Sequence, residues 1–181
     1  MDIQYLTLMD RRSDAAGKAH WLDRLYNHGM PRARVFEGFV NSIEFTGICA
    51  NYGITRGTYS PMPTDMIDDF IWRLYFETLD RRPEEDGLNH WRHELMRGVA
   101  GSTVAEGFVF SDEMISLNLS DAEFIGLLYK TLLNRTHDTA GLNHWLAEMS
   151  RGATRRDVFH AFAASGEFER LCANHGGIIA K

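Results

Sequence analysis

The side chains best suited to chemistry in this sequence are spread over several places rather than gathered in one motif. His90 and His93 lie three residues apart, a spacing that metal ligands use, but no third ligand or cysteine pair has a matching spacing. The acidic run 84–86 is more typical of a helix start than of paired catalytic carboxylates. No serine or cysteine lies in a recognisable nucleophile motif. We therefore expect no enzyme activity, no metal site and no cofactor.

Two aromatic residues are the better candidates for a binding site. Trp72 and Phe76 are four residues apart on one predicted helix and lie off its apolar stripe, so their rings should form one patch. The corresponding residues in the next copy of the repeat described below are Gly126 and Lys130, which indicates that the fold does not require the two rings. One interpretation is that the patch packs against the preceding linker or the first repeat. The other is that it binds a sugar or a protein partner, with Tyr59 as a third ring.

The chain contains three copies of one unit. Phe70–Asn118 aligns without a gap to Phe124–Cys172, an offset of 54 residues, and a shorter copy precedes both. The sequence thus divides into repeat 1 (1–54, which lacks the front of its first helix), a linker (55–65), repeat 2 (66–118) and repeat 3 (119–177).

The spacing of apolar residues has a helical period in every unit. It predicts three helices in each, A, B and C, with helix C of repeat 2 running from Val104 to Leu117 and Ser120 as the N-cap of repeat 3. Alternation typical of strands is absent. We therefore predict an all-α protein of tandem three-helix repeats, about eight to nine helices packed as one or two helical domains.

Several residue types recur at equivalent positions, which indicates structural roles. A tryptophan lies on the apolar stripe of each helix B, so a place in the core is favoured over a platform for a sugar ring. A glycine four residues earlier predicts close approach of helices A and B. An arginine at the end of helix A and a glutamate in helix C predict a bidentate clamp. These residues are Trp21, Trp91 and Trp145; Gly17, Gly87 and Gly141; Arg11, Arg81 and Arg135; and Glu44, Glu113 and Glu167.

Other recurring residues are expected to end or begin helix B. Glycines after the helix favour a left-handed C-cap, and aspartates before it are typical N-caps. The glycines are Gly29, Gly98 and Gly152, and the aspartates are Asp14 and Asp138.

The composition excludes several classes of function. A net charge of −6 argues against nucleic acid, which demands a basic surface. No apolar run approaches the roughly 18 residues of a membrane-spanning helix, so we expect no membrane insertion. The amino terminus has acids where a signal peptide has basic residues. Cys49 and Cys172 lie at equivalent places in different units, which predicts two separate buried thiols.

The repeat resembles a bacterial family known only as domain of unknown function 4214. Repeat 2 departs from the family pattern at Glu84, where aspartate is usual, and at Met114, which replaces a phenylalanine. In all three copies, histidine precedes the tryptophan where tyrosine is commoner. The residues of repeat 3 that carry the resemblance are Phe124–Arg135, Asp138, Gly141, Leu142, Trp145, Phe162, Ser165, Glu167 and Phe168.

The resemblance implies a setting rather than a reaction. The family is similar in its repeat pattern to phycobilisome linker domains, and its members are mostly accessory parts of large bacterial secreted or surface proteins. The expected function is therefore a non-catalytic interaction module, extracellular or at the cell surface and joined to other domains, that binds a glycan or a surface partner. The alternative is a structural spacer or assembly linker. The resemblance supplies no catalytic residues.

Overall fold

The computed structural model describes residues 1–26 and 30–181, and this part of the chain contains twelve α-helices and no strand. The all-α prediction is confirmed. None of these helices is long and apolar enough to cross a membrane. The helices are α1 (Asp2–Leu8), α2 (Ala15–Tyr26), α3 (Arg32–Val40), α4 (Ile43–Asn51), α5 (Pro63–Leu79), α6 (Glu85–Met96), α7 (Gly101–Val109), α8 (Asp112–Ser116), α9 (Asp121–Leu133), α10 (Thr139–Ser150), α11 (Arg155–Ala163) and α12 (Gly166–Asn174).

The segment predicted as a single helix C is two helices in each unit, so the expected eight to nine helices were too few. A serine between them ends one helix and caps the next, because its hydroxyl accepts a hydrogen bond from the backbone N–H three residues on. The bonds are Phe45 N to Ser42 (3.0 Å), Met114 N to Ser111 (3.2 Å) and Phe168 N to Ser165 (3.2 Å).

Most of the predicted helix ends are confirmed, with one shift at the linker. Ser120 forms a capping box with Glu123, and Gly98 and Gly152 have φ angles of 95° and 109°. The predicted C-cap Gly29 lies outside the described residues. Helix α5 begins at Pro63, inside the predicted linker, because proline at the first helical position has a suitable φ and lacks only an N–H that would be unpaired anyway.

Two hydrophobic clusters hold the helices together. The larger one joins repeats 2 and 3, and α5 packs against α9 within it. The smaller one lies within repeat 1 and is built around Tyr5, Val35 and Phe39. Repeat 1 meets the rest of the protein where α3 packs against α5.

The tryptophans of helix B are not the centre of these clusters. Trp21, Trp91 and Trp145 are only half-buried, and α2 and α10 contain no fully buried residue. Helix B lies on the outside of each unit, so only one side of it is covered. The fully buried partners of the tryptophans are phenylalanines of the helix after it, Phe39, Phe108 and Phe162, which are 2–5% exposed.

The end of repeat 3 and the residues just after it form a terminal segment, 175–180, that folds back onto repeat 2. His175 and Ile178 are buried, and the left-handed Gly176 fits against the start of α5. The backbone N–H groups of Gly101 and Ser102 donate to the carbonyl groups of Ile179 and Ala180, at 2.7 and 3.0 Å. The terminal segment thus satisfies the free N–H groups at the start of α7, which has no side-chain cap.

Candidate binding site

The recurring arginine and glutamate form a structural brace. Arg135 donates from Nε and Nη2 to the two carboxylate oxygens of Glu167, at 2.6 and 3.2 Å, and Arg11 binds Glu44 in the same way. The Arg81–Glu113 pair is looser, at 3.7 Å. Each guanidinium also lies 4.7–5.3 Å from the centroid of a tyrosine ring. The predicted clamp is confirmed as bidentate in two units.

The recurring glycines of helix B make room for the hydroxyl groups of the same three tyrosines. A methyl group added at Gly17, Gly87 or Gly141 would lie closer than 3.0 Å to a tyrosine hydroxyl. This confirms the predicted close approach of helices A and B.

We expect Gly141→Ala to lower the free energy of unfolding by about 1–2 kcal/mol, because the new methyl group displaces the buried Tyr129 ring. Tyr129→Phe removes the oxygen that would clash, so the double variant should recover most of this loss. Urea titrations of the parent and the three variants measure both effects. Equal losses in Gly141→Ala and the double variant would show that the hydroxyl is not the obstacle.

The side chains considered for metal binding do not form a site. Within the described residues, no group of three His, Cys, Asp or Glu side chains lies close enough to hold a metal ion. His90 stands beside the Trp91 ring, with 4.8 Å between the ring centroids, and both His90 and His93 are exposed. Cys49 and Cys172 are separate buried thiols, as predicted.

The structure brings together two of the three aromatic residues proposed for binding. The rings of Trp72 and Phe76 have centroids 5.5 Å apart and planes inclined by 30°. Trp72 is half-buried, whereas Phe76 is 37% exposed. The ring of Tyr59 packs instead on Phe36, with 5.1 Å between centroids, and its backbone binds the side chain of Asn41.

Phe76 also lines a cleft of about 120 Å³ where the three units meet. Tyr26 and Met30 of repeat 1 line one side, and Asn134 at the end of α9 lines another. The Asn134 amide donates to the carbonyl oxygen of Leu25, which ties repeat 3 to repeat 1 beside the cleft. The exposed ring therefore adjoins a recess with polar walls.

The polar wall contains three ionisable side chains of α5. Asp69, Arg73 and Glu77 line the cleft, and Asp69 accepts a hydrogen bond from the backbone N–H of Ala33 (3.2 Å) at the start of α3. Burial raises the pKa of the Asp69 carboxyl, although this hydrogen bond and nearby arginines oppose the shift. Burial also lowers the pKa of Arg73, to about 10. This value is still well above neutral pH, and the side chain therefore remains charged.

His175 completes the inner wall as a neutral side chain. Its Nδ1 lies 2.7 Å from the carbonyl oxygen of Leu171, so Nδ1–H donates there and Nε2 faces the Arg73 guanidinium at 3.4 Å. Burial, together with the positive charge of Arg73, lowers the pKa of His175 to about 3. The imidazole is therefore an acceptor for Arg73 at physiological pH.

Sequence reasoning did not single out Asp69, Arg73 or His175. Arg73 interrupts an otherwise apolar stripe, and its equivalents are Ile3 and Leu127, so an alignment of the units does contain a signal at this position. The part that His175 and Asn134 play depends on how the units pack, which the repeat pattern does not specify.

A second groove occupies the corresponding place in repeat 3. It is open, has a volume of about 620 Å³, and is lined by Gly126 and Lys130 at the positions of Trp72 and Phe76. Leu117, Leu127 and other apolar side chains make up much of its surface. It lacks both the ring pair and the buried guanidinium, so the cleft beside Phe76 is the better candidate for a specific site.

Comparison with known proteins gives one match. The family model described as a domain of unknown function (DUF4214) matches three segments of the chain, residues 1–49, 63–118 and 105–172. No curated protein and no solved structure matches the chain significantly.

Proposed function

We propose that this chain, which belongs to the DUF4214 family, is a non-catalytic module that binds a glycan through the ring pair of α5 and the adjoining cleft. The observation that carries the proposal is the Trp72–Phe76 pair, whose outer ring stays 37% exposed beside a recess. The ring is therefore partly accessible to a ligand. A half-exposed aromatic pair offers a face on which a sugar ring can stack through its C–H groups.

The polar side chains beside the rings can form hydrogen bonds with the hydroxyl groups of a sugar. Sugar hydroxyls donate to carboxylates and accept from amides and guanidinium groups. Asp69, Glu77, Asn134 and Arg73 supply these groups around one cleft. A binding site usually combines an apolar surface with a few convergent polar groups, and this arrangement supports the proposal.

The proposal also covers the organisation and setting of the chain. We propose that the helices act as three tandem units, because the arginine–glutamate brace and the serine cap recur in each. An accessory module of this kind would be joined to other domains of a bacterial secreted or surface protein, as the family resemblance implies. A surface protein that carries the glycan would then be its partner.

A double variant tests the role of the rings. Trp72→Gly with Phe76→Lys introduces the residues that repeat 3 has at these positions, so the helix should still form. The added glycine weakens a helix by about 1 kcal/mol relative to alanine, and loss of the half-buried Trp72 ring adds to this. On a glycan array, we expect the parent to bind a restricted set of sugars and the double variant to bind at least tenfold more weakly.

A control variant separates this effect from a general loss of apolar surface. Met96→Lys removes a 60%-exposed side chain from α6, away from the cleft, and should leave glycan binding unchanged. If the parent binds no glycan, or if the double variant binds as the parent does, the proposed function is wrong.

The alternative is a structural spacer or assembly linker, and one observation favours it. The ring of Phe76 lies beside the junction where Asn134 holds the Leu25 carbonyl, so the pair can serve to fix repeat 1 on repeats 2 and 3. In that case, the double variant should lower the melting temperature sharply because the junction opens. A large loss of stability, with no glycan bound by the parent, would support the spacer.

A further inference from the structure

Arg73 carries a buried positive charge that has no hydrogen-bonded counter-charge. Its side chain is 9% exposed, Nε donates to the carbonyl oxygen of Thr131 at 3.1 Å, and Nη1 faces His175. Nη2 has no hydrogen-bond partner, and no ion pair in the described part of the chain includes Arg73. A buried charge without a hydrogen-bonded counter-charge is costly, and an unpaired buried donor adds to that cost.

The fold itself does not require a guanidinium at this position. Ile3 and Leu127 are its equivalents in repeats 1 and 3, and Leu127 is buried there without a polar partner. Burial of a charge at only one of three equivalent positions needs a reason specific to that position. The cleft that Arg73 lines is such a reason.

The charges of Asp69 and Glu77 favour the charged form of Arg73, but neither carboxylate forms an ion pair with it. Asp69 is directed to the start of α3, where it accepts the Ala33 N–H, and Arg32 lies close enough to act on its charge. Glu77 is exposed, so water screens its charge. Both remain able to accept hydrogen bonds from hydroxyl groups at the mouth of the cleft.

We propose that the cleft accepts the carboxylate of an acidic sugar, a hexuronate residue of a glycan, with Arg73 as its counter-charge. This inference rests on the proposed function and names its ligand class. At about 120 Å³, the cleft is much smaller than the pockets that enclose a whole drug-sized ligand, so it receives one group of a larger molecule. The sugar ring lies against Phe76, and its hydroxyls reach Glu77 and Asn134.

An acidic sugar fits this site better than a neutral one for an electrostatic reason. A carboxylate in a recess of low dielectric interacts strongly with a nearby guanidinium, even without a direct hydrogen bond. A neutral sugar would bring no counter-charge to Arg73. The site should therefore discriminate between a uronate and the corresponding hexose, which differ only at one carbon.

The test compares Arg73→Leu with the parent protein. Leucine is the residue of repeat 3 at this position, so the helix should accept it, although the Thr131 carbonyl and Nε2 of His175 lose their donor. Ligand-observed NMR would measure binding of the methyl glycosides of glucuronate, galacturonate and mannuronate, each beside its neutral hexose. We expect the parent to bind at least one uronate at least tenfold more tightly than its hexose. Arg73→Leu should lose that preference while still unfolding in one cooperative transition.

Arg73→Lys is the second variant, because it keeps the positive charge. It should retain part of the preference for a uronate over its hexose, and it tests the proposal even if Arg73→Leu folds poorly. Equal binding of uronates and hexoses by the parent, or an unchanged preference in Arg73→Leu, would overturn the acidic ligand and leave the proposed function standing. Absence of binding to any sugar would overturn both.

Discussion

Replacement of Phe162 by alanine should lower the free energy of unfolding by about 3–5 kcal/mol, the usual loss for a buried phenylalanine. Phe162 is 3% exposed and contacts two recurring rings of its unit. Its centroid lies 4.9 Å from that of Tyr129, in an edge-to-face arrangement, and 5.1 Å from that of Trp145. Removal of the ring thus leaves a cavity between helices α9 and α10 and also costs two aromatic contacts.

The matched comparison is Trp145→Ala. Tryptophan is the larger side chain, but Trp145 is only half-buried, so we expect a loss of about 2 kcal/mol. Chemical denaturation of both variants gives the two free energies directly. A larger loss for Trp145→Ala than for Phe162→Ala would mean that the tryptophan is at the centre of the unit, as its position on the apolar stripe predicted.

This difference shows what helical periodicity does and does not determine. The spacing of Leu142, Trp145 and Met149 predicts which side of α10 faces the protein, and the structure agrees, since all three pack against the larger core cluster. Periodicity cannot tell how much of that side is covered. Coverage depends on the number of neighbouring helices, and α10 has them on one side only.

The division of helix C had a local signal that the apolar pattern concealed. Ser111 keeps the helical spacing between Phe108 and Met114, so one continuous helix fits the pattern equally well. Serine, however, competes for backbone N–H groups and favours N-cap positions over helix interiors. A serine at the same place in all three units was evidence for a break.

The candidate site was predictable only in part, for a physical reason. The pairing of Trp72 with Phe76 follows from their spacing on one helix, and the structure has it. The cleft beside them depends on contacts between units, such as the bond from Asn134 to Leu25, which span more than a hundred residues of sequence. Tyr59 was assigned to the patch because it is near in sequence, but its contacts are with Phe36 and Asn41.

The terminal segment of repeat 3 is another feature set by contacts between units. The motif Cys-Ala-Asn, an aromatic side chain and glycine occurs at 49–53 and again at 172–176, with left-handed glycines of φ 69° and 81°. In repeat 3, His175 is 2% exposed against repeat 2, whereas its equivalent Tyr52 is 75% exposed. The same local conformation is therefore packed in one unit and open in the other.

This contrast makes a matched pair of substitutions informative. We expect Gly176→Ala to lower the free energy of unfolding by about 2–5 kcal/mol, from left-handed strain and from overpacking. The added methyl group would lie 2.6 Å from the backbone oxygen of Pro63 and 3.0 Å from Ile67. Because the obstacle is backbone at the start of α5, the terminal segment has to lift away from repeat 2 to relieve it.

Gly53→Ala introduces the same strain at the equivalent position without a neighbour, since no atom lies within 4 Å of the added carbon. Its loss should be only about 1 kcal/mol, because alanine also restricts the unfolded chain. Urea titrations measure both losses, and hydrogen exchange reports whether the Gly101 and Ser102 amides, which donate to the terminal segment, become unprotected in Gly176→Ala. Equal losses in the two variants, with those amides equally protected in both, would mean that Gly176 does not pack closely against the start of α5.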